Sequence, residues 1–450
     1  MRGRRALSAT VGGHANPFIR RDPSPVGFAD TFSPKGRRIT EIQMTETEAA
    51  QSLLTPAAVR NRAHEMLSLA LDGDLADWRV DLGRLEPVAD RVAAVIRSQY
   101  PSLQVPFHAR WRHFVVGGAD LWAQLSARND WIDAAHRARA AFDLAITSVL
   151  LDAGAGPAWR FEDRATGTIT TRSEGLAVAS LRLFESGAFS TGPDPLRADS
   201  LSALTTRQLA KGFQVRDGNP LLGLDGRADL LRRLGDQASA RPDLFGLKDS
   251  PRPGGLFDAM AARATDGRLA APVILEVLLE ALGPIWRNRL TLGGLPLGDT
   301  WRHPAIKRDD PTDNLVPIHK LSQWLAYSLI EPLEEAGIVV HDIDGLTGLA
   351  EYRNGGLFMD GGVLLLKDPA QQHLSQDVSR PLIVGWRSLT VALLDRIAPM
   401  VRERLGVAEA DFPLARVLEG GTWATGRILA RERRDDGGPP LNIVSDGTVF

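Results

Sequence analysis

Apolar residues recur at helical spacing along most of the chain. Val59, Ala63, Met66, Leu67 and Ala70 follow Thr55-Pro56, where a cap residue precedes a proline at the first helical position, and ordered structure is expected to begin there. Similar stripes run through Val88, Val92, Val95 and Ile96, and through Ile132, Ala135, Phe142, Ile146 and Val149. Two more comprise Ile274, Val277, Leu278, Ala281, Leu282 and Ile285 behind Pro272, and Ile318, Leu321, Trp324, Leu325, Ser328 and Leu329. Strand signals are local: Trp159–Arg172 alternates around Thr-Gly, Leu357–Leu366 contains Asp-Gly-Gly, and Leu441–Phe450 contains Ser-Asp-Gly-Thr, each predicting a hairpin. The expected fold class is mainly α, a large helical body with a few short β-hairpins as a minor α+β component.

The first residues break this pattern. They are rich in Arg, Gly, Pro and Ser without a sustained apolar period, so residues 1–45 are expected to be a disordered leader and residues 46–450 a single large helical catalytic domain. The leader reads as an organellar transit peptide, or else as a non-conserved leader or translation from a start placed too early, with Met44 as the true beginning; its Pro and Gly interrupt any amphipathic helix and disfavour the transit peptide.

Charge and composition then narrow the function. Fifty-three Lys and Arg against 55 Asp and Glu leave no basic surplus for a phosphate backbone, so nucleic acid is not an expected partner. The absence of cysteine removes disulfides, thiolate nucleophiles and Cys-type zinc sites together, consistent with a reducing, cytoplasmic setting. No apolar run approaches the roughly 20 residues of a membrane helix, so no membrane partner is expected. The sequence contains no phosphate loop, no Gly-x-Ser-x-Gly elbow and no His-Glu-x-x-His, and its scattered histidines suggest neither a metal nor another cofactor.

Four segments concentrate polar, charged and aromatic residues. In Pro106–Phe114, His108, Arg110, Trp111 and Arg112 interleave cations with rings, which suits either a phosphorylated ligand or an arginine-rich strand packed through its methylene stems. Ser173 is placed to cap a helix, with Glu174 in its first turn facing either the helix dipole or a ligand. His319, Lys320, Gln323 and Trp324 fall within little more than one helical turn, and Lys320 is one of six lysines against 47 arginines. Asp342–Leu364 is the densest, combining Asp342, Asp344, Glu351 and Asp360 with Tyr352, Arg353, Asn354 and several glycines that would let backbone approach a ligand. Carboxylates in different environments are what glycoside-type hydrolysis needs, one to stabilise positive charge at the anomeric carbon and one donor to assist the leaving group. A surface hairpin of solvated acids would look the same.

FHARWRHF at 107–114, SEGLAVASLRLFESGAFS at 173–190, LVPIHKLSQWLAYSLIEPL at 315–333 and GLAEYRNGGLFMDGGVL at 348–364 resemble the uracil-catabolism protein family, long catalogued as a domain of unknown function. The resemblance covers the chain after about residue 50. A fainter similarity links Leu346-Thr-Gly-Leu-Ala-Glu-Tyr-Arg, with Lys320 and Gln323, to the queuosine-salvage nucleotide N-glycosidases, although Glu351 stands where that family has aspartate and Asn354-Gly-Gly replaces Val-Pro. These resemblances imply an N-glycosidase that hydrolyses ribosylurea, or its 5′-phosphate, to urea and ribose or ribose phosphate. They imply Glu351 or Asp344 as the group that stabilises the oxocarbenium-like transition state and directs water, with Asp360 as a third candidate. Arg110, Arg112, Lys320 and Arg353 would meet the phosphate; Trp111, Trp324 and Tyr352 would line the sugar or urea; His108, His319 or Asn354 would assist urea, with Glu174 and Gln323 nearby. The expected partner is this small ribosylated molecule. A ureido- or amide-hydrolase acting on the opened pyrimidine ring, with or without a metal, and a non-catalytic scaffold or ligand sensor of the same pathway are the alternatives.

Overall fold

The computed structural model describes residues 44–246 and 250–444. The expected leader, except for its last two residues, lies outside them. At the centre is the 25-residue helix Pro381–Leu405, started by a proline at its first position and ended by Gly406 in the left-handed region (φ 71°). It buries Trp386, Leu389, Leu393, Ile397 and Val401 against Pro56–Asp72, Leu85–Gln99 and Tyr352–Asp360. Each such fully buried side chain contributes about 1.5–3 kcal/mol relative to exposure. A second helical layer sets Lys320–Glu335 against Ala134–Leu150 and Ala271–Leu282, and both layers share one apolar core.

Among the described residues, strands pair only two by two. The mainly α reading with minor β therefore stands. Thr55 caps Pro56–Asp72 by accepting from the Ala58 N–H, as expected, yet another helix, Glu46–Leu53, precedes it, where Thr45 and Glu48 form a capping box. Ile132 precedes the helix Ala134–Leu150 and is 85% exposed, so it is no part of the buried stripe.

The hairpin within 159–172 forms, pairing Phe161–Asp163 antiparallel with Thr168–Thr170. The one expected at Leu357–Leu366 does not. Tyr352–Asp360 is a helix, and Leu364–Leu366 instead pairs with Trp78–Val80. The reason lies in tertiary packing. A Cβ at Gly355 would come within 2.7 Å of the Trp386 ring, and one at Gly426 within 2.2 Å of the Arg353 carbonyl, so these glycines bring helices together. Asn442–Val444 pairs in parallel with Ser375–Asp377, whereas the turn expected in the last residues lies outside the described ones.

Candidate active site

The segment before the Tyr352–Asp360 helix ends at Glu351, which takes extended backbone and caps the helix with its own carboxylate. Oε2 accepts from the Arg353 N–H and Oε1 from the Asn354 N–H, both at 2.6 Å. The loop is pinned from the side by the Lys320–Glu335 helix: Tyr327 donates to the Thr347 carbonyl (3.0 Å) and Gln323 Oε1 accepts from the Thr347 N–H (3.3 Å). That helix in turn starts at Lys320, whose N–H donates to Asp299 (3.0 Å), a carboxylate also gripped by Arg387. Glu351 and Lys320 are thus brought to one place by two independently capped helix ends.

They line one cavity of about 350 Å³. Its other walls are His108, His113, Trp324, Leu349, Tyr352 and Trp423, the loop Asp152–Pro157, and Arg172-Ser173. The rings form a belt around Trp324, with His113 at 5.6 Å, the Lys320 ammonium at 5.8 Å and the Arg110 guanidinium at 5.5 Å from its centroid. The Trp324 indole N–H is buried without an acceptor, and the Lys320 ammonium is in no ion pair among the described residues.

A second carboxylate faces this space. Asp152 follows the C-terminal end of the Ala134–Leu150 helix, where the dipole disfavours an anion, so other groups must hold it. Arg110, fully buried, pairs with it at 3.0 Å, and the Ser173 hydroxyl lies 2.7 Å from both its oxygens. Arg227 fastens the loop beneath by donating to the carbonyls of Leu151, Ala153 and Gly154. His108 is turned by Glu419, 2.6 Å from its Nδ1, which sits in a π-helical turn, Leu418–Thr422, that also delivers Trp423.

The two carboxyls are driven apart electrostatically. Burial pushes the Glu351 carboxyl up, against its two backbone N–H bonds and the Lys320 charge. Burial acts on Asp152 the same way, but the Arg110 charge and the Ser173 hydroxyl outweigh it and hold Asp152 below the usual carboxylate range. Burial lowers the Lys320 ammonium, opposed by Glu351 and Asp152. His113, buried beside Arg110, is pushed down to about 3 and is neutral.

Of the residues singled out from sequence, Glu351, Lys320, Trp324, Tyr352 and His108 converge here. Arg110, Gln323 and Asn354 stand behind the wall; Asn354 Nδ2 donates to the Leu349 carbonyl. The structure separates the remainder. Asp344 lies in another cleft, held by Arg402 and by the Leu414 N–H (2.6 Å), because the turn Ile343–Gly345 carries it away from Glu351. Asp360 closes the far end of its helix and pairs with Arg434 at 2.6 Å. Arg112 is taken by Glu331, Arg353 by the Gly437 carbonyl, and Trp111 by the Ser328 carbonyl. His319 is buried against the Leu53 carbonyl, and Glu174 faces Arg427 outside the cavity. Ser173 is not a cap: the helix Arg172–Glu185 is entered from Thr171, and Ser173 serves Asp152. The Pro106–Phe114 segment is a short helical turn at Arg110–Phe114 rather than a strand. Asp152 and Trp423 escaped the sequence reading of the site, and Arg172 and Ser173, in a segment it singled out, were given no place in the cavity. The one local signal was an acid placed directly after an apolar helix and before Ala-Gly-Ala-Gly-Pro.

No cluster of three metal-binding side chains occurs among the described residues, and no helix among them is long and apolar enough to cross a membrane.

A helical protein with a ring-lined cavity holding two carboxyls and a lysine is the class that fold and site define. The chain matches the model of the DUF1688 family, described as proteins of unknown function, over residues 52–450. It is 40% identical over 417 residues to Protein urg3 of Schizosaccharomyces pombe, an alignment spanning 90% of this chain and 100% of that protein. It is 38% identical over 416 residues to Uracil catabolism protein 4 of Lachancea kluyveri, spanning 84% of this chain and 93% of that one. The chain belongs to this family.

Proposed function

We propose that the protein acts in uracil catabolism as an N-glycosidase on ribosylurea or its 5′-phosphate. The pathway is supported by the name of the Lachancea relative and its 38% identity over most of both chains. The reaction is supported chiefly by one observation: two carboxyls with opposite pKa displacements face one cavity, as acid and stabilising anion do in glycoside hydrolysis. Asp152, kept ionised, would stabilise positive charge developing at C1 of the sugar and orient water. Glu351, coupled to Lys320, would supply the proton to urea. The C1–N bond breaks, its electron pair leaves with the urea nitrogen, and that nitrogen takes a proton through Glu351. Water forms the new C1–O bond and its proton passes to Asp152; transfer of that proton back to Glu351 through solvent then restores the site. Trp324, Tyr352 and Trp423 would exclude bulk solvent and hold the ribose.

Incubation of the purified protein with ribosylurea and its 5′-phosphate, followed by assays for urea, reducing sugar and ammonia, tests the reading. Equimolar urea and reducing sugar are expected. Ammonia would assign the protein to the ureido-hydrolases, and binding without turnover would make it a sensor.

A further inference from the structure

The phosphorylated form of the proposed substrate needs cations, and three of the four first assigned to it are occupied elsewhere, Arg110 by Asp152, Arg112 by Glu331 and Arg353 by Gly437, while the fourth, Lys320, lies inside the cavity between the charges of Glu351 and Asp152. Beside the cavity lies an open groove of about 410 Å³ lined by Ile169, Thr170, Thr171, Arg172, Glu174, Arg427 and Arg431. Arg172 lines both spaces, so the groove and the Glu351 cavity adjoin at this residue. Trp423 joins them a second time, lining the cavity while the Arg427 guanidinium lies 5.5 Å from its ring centroid.

Three guanidinium groups face one carboxylate in this groove, and the contact between Arg427 and Glu174 is loose, at 3.6 Å between partly exposed side chains. Neither Arg172 nor Arg431 is held in an ion pair among the described residues. Thr170 adds a buried hydroxyl without a hydrogen-bond partner. Arg172 also has a φ of 55°, a left-handed conformation that a non-glycine residue adopts at a cost, and here it sets the side chain at the cavity mouth. Guanidinium forks matched to phosphate oxygens, next to a free hydroxyl donor, are chemistry suited to a phosphate monoester.

We propose that Arg172 and Arg427, with Arg431 and Thr170, form the subsite for the 5′-phosphate of a ribosyl substrate whose C1 end reaches Glu351 and Asp152. This assignment rests on the N-glycosidase reading for the direction of the sugar. The phosphate selects for phosphorylated ligands and orients C1 inward.

Calorimetric titration of the full chain with ribose 5-phosphate, ribose and inorganic phosphate tests it. Ribose 5-phosphate should bind about ten-fold or more tightly than either fragment, with an affinity that falls as salt rises. Arg172→Gln combined with Arg427→Gln should erase that advantage, Arg→Lys at both positions should restore part of it, and Arg112→Gln should retain it. Equal affinity for ribose and ribose 5-phosphate, or for inorganic phosphate and ribose 5-phosphate, would overturn the proposal, as would an advantage surviving in the double variant. Thermal melts of each variant separate loss of binding from loss of fold. Binding is read without turnover, so failure here leaves the hydrolytic reading standing, and failure of hydrolysis alone leaves this subsite standing.

Discussion

Glu351→Gln separates the two duties of one side chain. As helix cap, the carboxylate accepts two N–H groups at 2.6 Å. Glutamine keeps one accepting oxygen and turns an NH₂ toward the other N–H, losing one charge-assisted bond of about 1.5–3 kcal/mol. Burying a neutral amide in place of a carboxyl that burial already pushes up returns part of this, so a net loss of about 1–2 kcal/mol and a fall of a few degrees in Tm are expected. As proton donor, Glu351 is irreplaceable by an amide, and general acid catalysis of this kind contributes about 10²–10⁴-fold. The variant should therefore fold, melt close to wild type, and release urea about 10²–10⁴-fold more slowly when assayed at saturating ribosylurea 5′-phosphate. Asp152→Asn should lose a comparable factor. A Glu351→Gln protein that keeps more than a tenth of the wild-type kcat while melting normally would refute the role given to this residue.

Three further outcomes follow from the packing and electrostatics. Lys320→Met removes a cation that lowers the Glu351 carboxyl, so that carboxyl should rise further and the basic limb of the kcat/KM profile should move to higher pH; a limb that stays or moves down contradicts the coupling. Gly426→Ala would ordinarily stabilise a helix by about 0.5–1 kcal/mol, but its Cβ would meet the Arg353 carbonyl at 2.2 Å, so a destabilisation of about 1–3 kcal/mol by denaturant titration is expected instead. His303, 5% exposed, is pushed by burial from 6.5 down to about 4, and its Nδ1 accepts from the Ala305 N–H at 3.2 Å. The unfolded chain takes this proton first as pH falls, so stability present above pH 6.5 is lost between 6.5 and about 4, a total of about 3 kcal/mol. At pH 5 His303→Asn should show about 2 kcal/mol less acid loss than wild type in urea denaturation, and equal losses would show that the imidazole is not buried neutral.

The helices were legible because burial on one face is itself the signal that periodicity reads: the stripes at Val59–Ala70 and Ile274–Ile285 lie in buried helix faces or their short extensions, as does Ile318–Leu329 apart from Ile318, which precedes the helix Lys320–Glu335. The hairpin at Leu357–Leu366 was misread for a reason of the same kind. Asp360-Gly361-Gly362 does turn the chain, but it ends the Tyr352–Asp360 helix rather than joining two strands, and only Trp386, far along the chain, explains why that helix needs Gly355. Within the site, Glu351, Tyr352, Lys320 and Trp324 were found because the motifs carrying them are contiguous. Asp344 and Asp360 were drawn in by proximity in sequence, yet a turn before Glu351 and a helix after it carry them to other faces. Asp152 was missed because its partners Arg110 and Ser173 lie 42 and 21 residues away, and no local pattern announces a carboxylate completed by tertiary contacts.

Hydrolysis in ¹⁸O-labelled water tests the central claim most directly, because it reports which bond breaks. If the cavity of Glu351, Lys320 and Asp152 cleaves the N-glycosidic bond, one labelled oxygen enters each sugar product and none enters urea, with mass spectrometry run before the C1 hydroxyl exchanges. Label in carbon dioxide or a carbamate, with the sugar unlabelled at first turnover, would contradict the account and assign the attack to the ureido carbon.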